Sequence, residues 1–468
     1  HTVVRYARLI YQLQYIPLAI SHLEPGINTG KIADINKKYL KGLKMKNSDY
    51  ENIFKKLVKS GYSGNLPEEI KKIRQSGDPL TENYLLYASG GGNPNRVVFK
   101  VRDCGAACGG EKKDCEASCL FNAIVRDMEG NVVIQQSNCA GCGKCVEVCR
   151  DYALIDKKEF VPLIDLLKNR TVPVFAIVAP ALIGQFGPEV TPGKMRAAFK
   201  RLGFYGMVEV ALFADMLTLK EALEFDRHVT RQEDFLLTSC CCPIWVSMVK
   251  RVYKDLIPHI SPSVSPMVAC GRGIKHLHPG SKVVFIGPCI AKKAEAKEPD
   301  LKDAVDAVLT FQEVRQIFEA VNINPAELEE DTSEHSSRAG RIYARTGGVS
   351  QAVADTLYRI NPGREVKIRA KQADGVQECR SLLKEVLERQ TEANFLEGMG
   401  CAGGCVGGPK ALIDPGTGRE RINQYGDEAH SQTPVDNKYV MELLKQLGIE
   451  DIHEFLNSEK AGMFIREF

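Results

Sequence analysis

A single tryptophan, Trp245, stands in 468 residues, and aromatic residues make up only 7% of the chain. No one sign of charge dominates: 62 Lys+Arg face 59 Asp+Glu, for a formal net charge of +3. So near a balance gives no reason to expect a nucleic-acid partner or a membrane surface. No apolar run reaches the roughly 18 residues of a membrane span. The most apolar stretch, VPVFAIVAPALIG, is broken by prolines and reads as a buried strand and turn. The opening residues, HTVVRYARLIYQLQ, show no charged-then-apolar export pattern and no twin arginine. A cytoplasmic location is therefore the expectation. Cysteine is absent before Cys104, yet the chain holds 16 in all. All but Cys379 lie between Cys104 and Cys289 or at Cys401 and Cys405. In a reducing compartment such a number points to metal or redox chemistry rather than disulfides.

The length leaves room for roughly two to four domains. Residues 1–95 space their apolar positions at three and four, as in VRYARLIYQLQYIPLAISHL and SDYENIFKKLVKSGY, and end in the turn-rich ASGGGNPN. This predicts a small helical region and a linker. Residues 96–160 hold eight cysteines and form a second unit. From 161 to 468, apolar runs alternate with helical patterns. The runs are VPVFAIVAP, GMVEVALF, DFLLTS, KVVFIGPC and EVKIRAKQADG. Helices are expected over 193–202, 216–229, 244–256, 311–320, 346–359, 376–390 and 435–447. Such alternation predicts an α/β domain with largely parallel, mixed sheets flanked by helices.

In the second unit, CAGCGKCVEVC sets Cys139, Cys142, Cys145 and Cys149 as CxxCxxCxxxC. The other group, Cys104, Cys108, Cys115 and Cys119, is a stretched CxxxC-x6-CxxxC. Short loops of this kind let three thiolates converge on one 4Fe-4S cluster, while the fourth reaches the other cluster of a pair. The segment resembles an α+β two-cluster bacterial-type ferredoxin. By that resemblance Cys104, Cys108, Cys115 and Cys149 hold one cluster, and Cys139, Cys142, Cys145 and Cys119 the other. The longer first loop and the missing proline after Cys119 and Cys149 are departures from that pattern.

Three later segments, TSCCCPIW (238–245), GPCIAKKAE (287–295) and EGMGCAGGCVGG (397–408), together resemble the signature segments of FeFe hydrogenases. Their order and spacing agree with that family. The resemblance implies an H-cluster, a 4Fe-4S cubane joined to a diiron azadithiolate subsite with CO and cyanide ligands. It implies Cys242, Cys289, Cys401 and Cys405 as cubane ligands, Cys405 bridging to the diiron unit. Thiolate is the soft ligand such clusters require. Counted back from Pro243, Cys241 takes the place of the family's proton-transfer thiol, and Cys240 that of its usual serine. The TSCCCP spelling resembles the group B subgroup. Lys292 stands where the family donates to a cyanide; a solvated lysine is the plainer reading. Met399 stands beside the expected bridging CO, with core filling as the alternative. Pro180 and Ala181 are expected to line the cofactor.

The resemblance also implies a proton relay through Cys241, Glu221, Ser261 and Glu224, with Glu295 at an acidic position nearby. Glu221 and Glu224 fall three apart on an expected helix and so share a face. Ser263 is an alternative to Ser261. Gly287, Met267, Gly400 and Ala181 depart from the usual residues around the diiron subsite without removing a ligand. Cys270 and Cys379 match no ligand position and read as small buried hydrophobes. The activity so implied is reversible proton reduction to dihydrogen. Soluble ferredoxin is the expected electron partner, separate maturation proteins are expected to insert the diiron unit, and the chain is a monomer or homodimer. A hydrogen sensor and a non-catalytic iron–sulfur assembly homologue are the competing readings.

Overall fold

Five consecutive residues of β5, Val174–Val178, are all buried. A strand apolar on both faces belongs inside a parallel sheet covered by helices. In the computed structural model β5 pairs in parallel with β6 (Gly206–Glu209) and with β8 (Lys282–Gly287), and β8 pairs with β9 (Ala307–Thr310). The order is β6-β5-β8-β9. A second parallel sheet, β10-β11-β7, is built from Ala370–Asp374, Phe395–Met399 and Leu236–Leu237. Mixed α/β architecture with parallel sheets is thus the observed fold class.

The structure describes residues 49–468 apart from 105–107, 109–111, 239–240, 332, 334 and 458. The expected helices of residues 1–48 and the third thiol, Cys240, lie outside the described residues. The chain divides into His1–Asn52 and Ile53–Phe468, and every strand among the described residues belongs to the second unit. Residues 53–63, Leu66–Arg74 and Pro79–Ala88 are helical. In the eight-cysteine segment β1 (Val98–Lys100) pairs antiparallel with β4 (Leu154–Asp156). A hairpin of β2 (Ile124–Arg126) and β3 (Val132–Ile134) separates the two cysteine groups.

Three expected elements shift. GMVEVALF is strand only to Glu209; from Ala211 the chain is a helix, Ala211–His228, whose first fifteen residues are all buried. The helix opens with the apolar Ala211, Leu212 and Phe213, which run on from the strand's own apolar residues and so read as its continuation. The helix expected over 244–256 stops at Arg251, and Lys254–His259 form a 3-10 turn containing Pro258. EVKIRAKQADG is strand only from Ala370. Strand β11 escapes a pattern reading because FLEGM puts a charge and a glycine in its centre. Glu397 is nonetheless buried, accepting the backbone N–H of Gly347 and Ser350 at 2.8 Å each. A Cβ on Gly398 would fall 1.9 Å from Trp245 Cε3. The indole Nε1 donates to Thr238 O (2.8 Å) within its own segment while the ring packs on Gly398, so the lone tryptophan braces two signature segments against each other.

The central helix is pinned by Asp215. Its carboxylate accepts from Ser337 N (2.6 Å), Ser337 Oγ and Gly340 N (2.8 Å). Burial outweighs these bonds and pushes Asp215 up to about 7. A carboxyl raised in the folded state keeps its proton longer there than in the unfolded chain. Its contribution is full below 3.8 and is lost as pH rises through about 7. Asp215→Asn is expected to flatten the fall in stability across that window, by on the order of a few kcal/mol. Denaturant unfolding of both proteins at graded pH checks it; parallel curves would refute the assignment.

Candidate metal centre

Four parallel strands deliver the site at their carboxyl ends, where open α/β sheets bind ligands. Beyond β7 come Cys241 and Cys242, beyond β8 Cys289, beyond β11 Cys401 and Cys405, and beyond β5 Pro180 and Ala181. Each thiol takes its electrostatic surroundings from the others. Burial pushes Cys289 up to about 12, with Cys405 and Cys242 adding to it and Lys292 opposing. Burial pushes Cys405 up to about 11, again with Cys242 beside it. Cys401 is raised well above its usual value by burial and then by Cys289, Cys242 and Cys405. The quartet Cys242, Cys289, Cys401 and Cys405 therefore converges. Cys241 joins it: burial raises its thiol, and Cys405, Cys242, Lys292 and Glu221 act on it.

The eight-cysteine segment forms two further quartets. Cys115 is pushed up to about 11 by burial, then by Cys149, Cys104 and Cys108. Cys142 is pushed up to about 11 by burial, with Cys139 and Cys119 adding to it. Cys145 is raised by burial and then by Cys142, Cys139, Cys119 and, from the other quartet, Cys115. The two groups thus adjoin. The second adjoins the 287–295 segment as well: a Cβ on Gly141 would lie 2.6 Å from Ala294, and one on Gly143 2.7 Å from Ile290. Both glycines have positive φ. Glu147, between Cys145 and Cys149, acts on Cys401.

Lys292 is buried and donates to Glu295 Oε2 at 2.6 Å. Burial pulls its ammonium down, but Glu295 and the neighbouring thiols outweigh that and raise it. Met399 is 1% exposed, its carbonyl accepting from Gly375 N (2.8 Å). Ala181, Cys270 and Cys379 are fully buried. Of the relay residues, Glu221 accepts from Thr238 Oγ1 and lies by Cys241. Glu224 Oε2 accepts from Ser261 Oγ at 2.7 Å, and Ser261 and Ser263 hydroxyls meet at 2.9 Å. Thr238 and Lys220, which pairs with Glu224, were not legible as partners. Thr238 lies in the TSCCCP segment, and Lys220 precedes Glu221, but neither carries a pattern that marks it.

The donor chemistry fits iron–sulfur groups. The thiols come in quartets, and some sulfurs receive backbone N–H groups: Ala123 N to Cys119 (3.2 Å), Gly141 N to Cys139 (3.4 Å) and Gly400 N to Cys242 (3.3 Å). Such bonds tune cluster potentials. Among the described residues no three His, Cys, Asp or Glu close around a single ion. A cubane binds its cysteines on separate irons, so they need not meet at one point. Small residues open the third segment, where Gly403 and Gly404 have positive φ.

Residues 172–409 match the family described as iron only hydrogenase large subunit, C-terminal domain. The chain belongs to this family. It is 29% identical over 324 residues to the NADP-reducing hydrogenase subunit HndD of Solidesulfovibrio fructosivorans, covering 58% of this chain and 55% of that one. The match thus spans little more than half of that relative. The periplasmic Fe hydrogenase large subunit of Nitratidesulfovibrio vulgaris is 27% identical, over 61% of this chain and 87% of its own. Cytosolic iron–sulfur assembly component 3 of Bos taurus is 26% identical, over 70% and 85%. An apo FeFe-hydrogenase of Chlamydomonas reinhardtii shares the fold, with TM-score 0.52 and 22% identity, covering 62% of this chain and 96% of that one. Membership implies iron–sulfur clusters and an H-cluster. Among the described residues no helix is long and apolar enough to cross a membrane.

Proposed function

We propose that this chain is an FeFe hydrogenase that interconverts protons, electrons and dihydrogen. One observation carries the reading. Cys241, Lys292 and Glu221 stand around the quartet Cys242, Cys289, Cys401 and Cys405. A site that only stored a cubane would need the four ligands and no buried thiol, ammonium and carboxylate beside them.

The four cysteines would hold the H-cluster cubane, and the two outer quartets would hold one 4Fe-4S cluster each. When bound, the H-cluster supplies the redox metal chemistry of proton reduction. The protein's residues do the rest. Lys292 places a buried cation for an anionic ligand, while Glu295 keeps that cation paired. Pro180, Ala181 and Met399 exclude water. Cys241 gives a proton to the site and is recharged through Glu221, Ser261 and Glu224. The two outer quartets would relay electrons from a soluble ferredoxin toward the centre, on the side where Gly141 and Gly143 pack on Ala294 and Ile290. Maturation proteins insert the diiron subsite. A cytoplasmic location suits so many free thiols.

A second reading, a role in iron–sulfur assembly, is favoured by the 70% of this chain that aligns with the assembly component. One assay separates them. The protein is reconstituted anaerobically, its diiron subsite is loaded, and hydrogen gas is measured over dithionite-reduced methyl viologen. Sustained release is expected. No release, with CO and cyanide infrared bands confirming the loaded cofactor, would remove the enzyme reading.

A further inference from the structure

Lys220 is 1% exposed on the buried helix Ala211–His228. Its Nζ pairs with Glu224 Oε1 and donates to Ser263 Oγ at 3.0 Å. Ser263 meets Ser261, and Ser261 donates to the other oxygen of Glu224. Lysine, glutamate and two serines thus close a ring. On its outer side Glu224 lines a cleft of about 590 Å³ shared with His228, Glu233, Asp234, His259 and Arg466. Arg466 is already paired with Glu298 and Asp300 (2.5 and 3.2 Å), and Phe235 stacks on His259. The cation closest to Glu224 is therefore Lys220, carried one helical turn before it.

Resting on the hydrogenase reading, we infer that Lys220 is a positioning residue that keeps Glu224 ionised and aimed at Ser261, so the relay's outer member rests as a proton acceptor. A buried carboxylate without a cation tends to keep its proton. A relay group that rests protonated can take no further proton from within. Paired with Lys220, Glu224 accepts one proton and releases one to the cleft in each passage. Ser263 accepts from the lysine at 3.0 Å and so helps to fix it.

The test needs no diiron subsite for its first readout, so it stands apart from the assay for hydrogen release. Infrared spectra of the cluster-reconstituted protein are compared with those of Glu224→Gln. At neutral pH the lost band is expected to be a carboxylate stretch; loss of a protonated-carboxyl band would overturn the inference. Lys220→Met is expected to create a protonated-carboxyl band that vanishes in the Lys220→Met, Glu224→Gln double variant. Lys220→Arg is expected to lack it. If Lys220→Met fails to fold, the parent comparison still decides. In loaded enzyme, the half-maximal pH of hydrogen oxidation is expected to move up by about one unit in Lys220→Met and to return in Lys220→Arg. A folded Lys220→Met with neither the new band nor a moved profile would overturn the inference.

Discussion

Cys241→Ala is expected to lower hydrogen release by about a hundredfold or more, the usual worth of a positioned acid–base group, while leaving iron content unchanged. The thiol is 9% exposed and sits within the electrostatic reach of Cys405, Cys242, Lys292 and Glu221. Burial raises it well above its usual value, so it rests as a protonated thiol. That is the form the proposed relay needs in a donor, with Glu221 beside it as the proposed next member. Thr238 Oγ1 holds Glu221 from the same segment that carries Cys241, so one segment ties the two. Alanine removes the proton carrier and none of the four proposed ligands. Methyl viologen assays and iron analysis on parent and variant decide it. Equal turnover would move the proton route away from this thiol.

Lys293→Met is expected to destabilise the protein by about 3–5 kcal/mol, the cost of breaking a buried ion pair from one side. Lys293 is fully buried and donates to Asp156 Oδ2 (3.0 Å), Lys157 O (2.6 Å) and both oxygens of Glu313 (3.1 and 3.0 Å). Burial works against its charge, but Glu313 and Asp156 outweigh that and raise it. Asp156 also pairs with Lys410 at 2.9 Å. Thus β4 of the eight-cysteine segment is tied to residues four beyond Cys289 and five beyond Cys405. Loss of Lys293 removes the hydrogen-bonded cation that Asp156 and Glu313 share, leaving Lys410 and Lys158 to balance a buried acidic pair. Denaturant unfolding measures the change, and Lys293→Met with Glu313→Gln is expected to recover part of it. A single-variant change below about 1 kcal/mol would place the knot in well-hydrated surroundings instead.

The chemistry was legible wherever it is local. Cys139, Cys142 and Cys145 sit on loops so short that their spacing alone brings three thiols together. Glu221 and Glu224 share a face because a helix repeats every 3.6 residues. The Gly400–Gly404 stretch announces a close backbone approach in its composition. What the pattern could not carry was pairing across the chain. Lys293 lies 137 residues from Asp156, and Lys220 lies 43 from Ser263. A lysine in a helical pattern reads as solvated until the packing shows it enclosed. The FLEGM strand reads as broken until Gly347 and Ser350 are seen to satisfy Glu397. Residue type and short spacing, then, determined where thiols gather and which carboxyls share a helix face. Only the tertiary structure decided which charges are buried together, because burial and its compensating partners belong to the packed whole and not to any one segment.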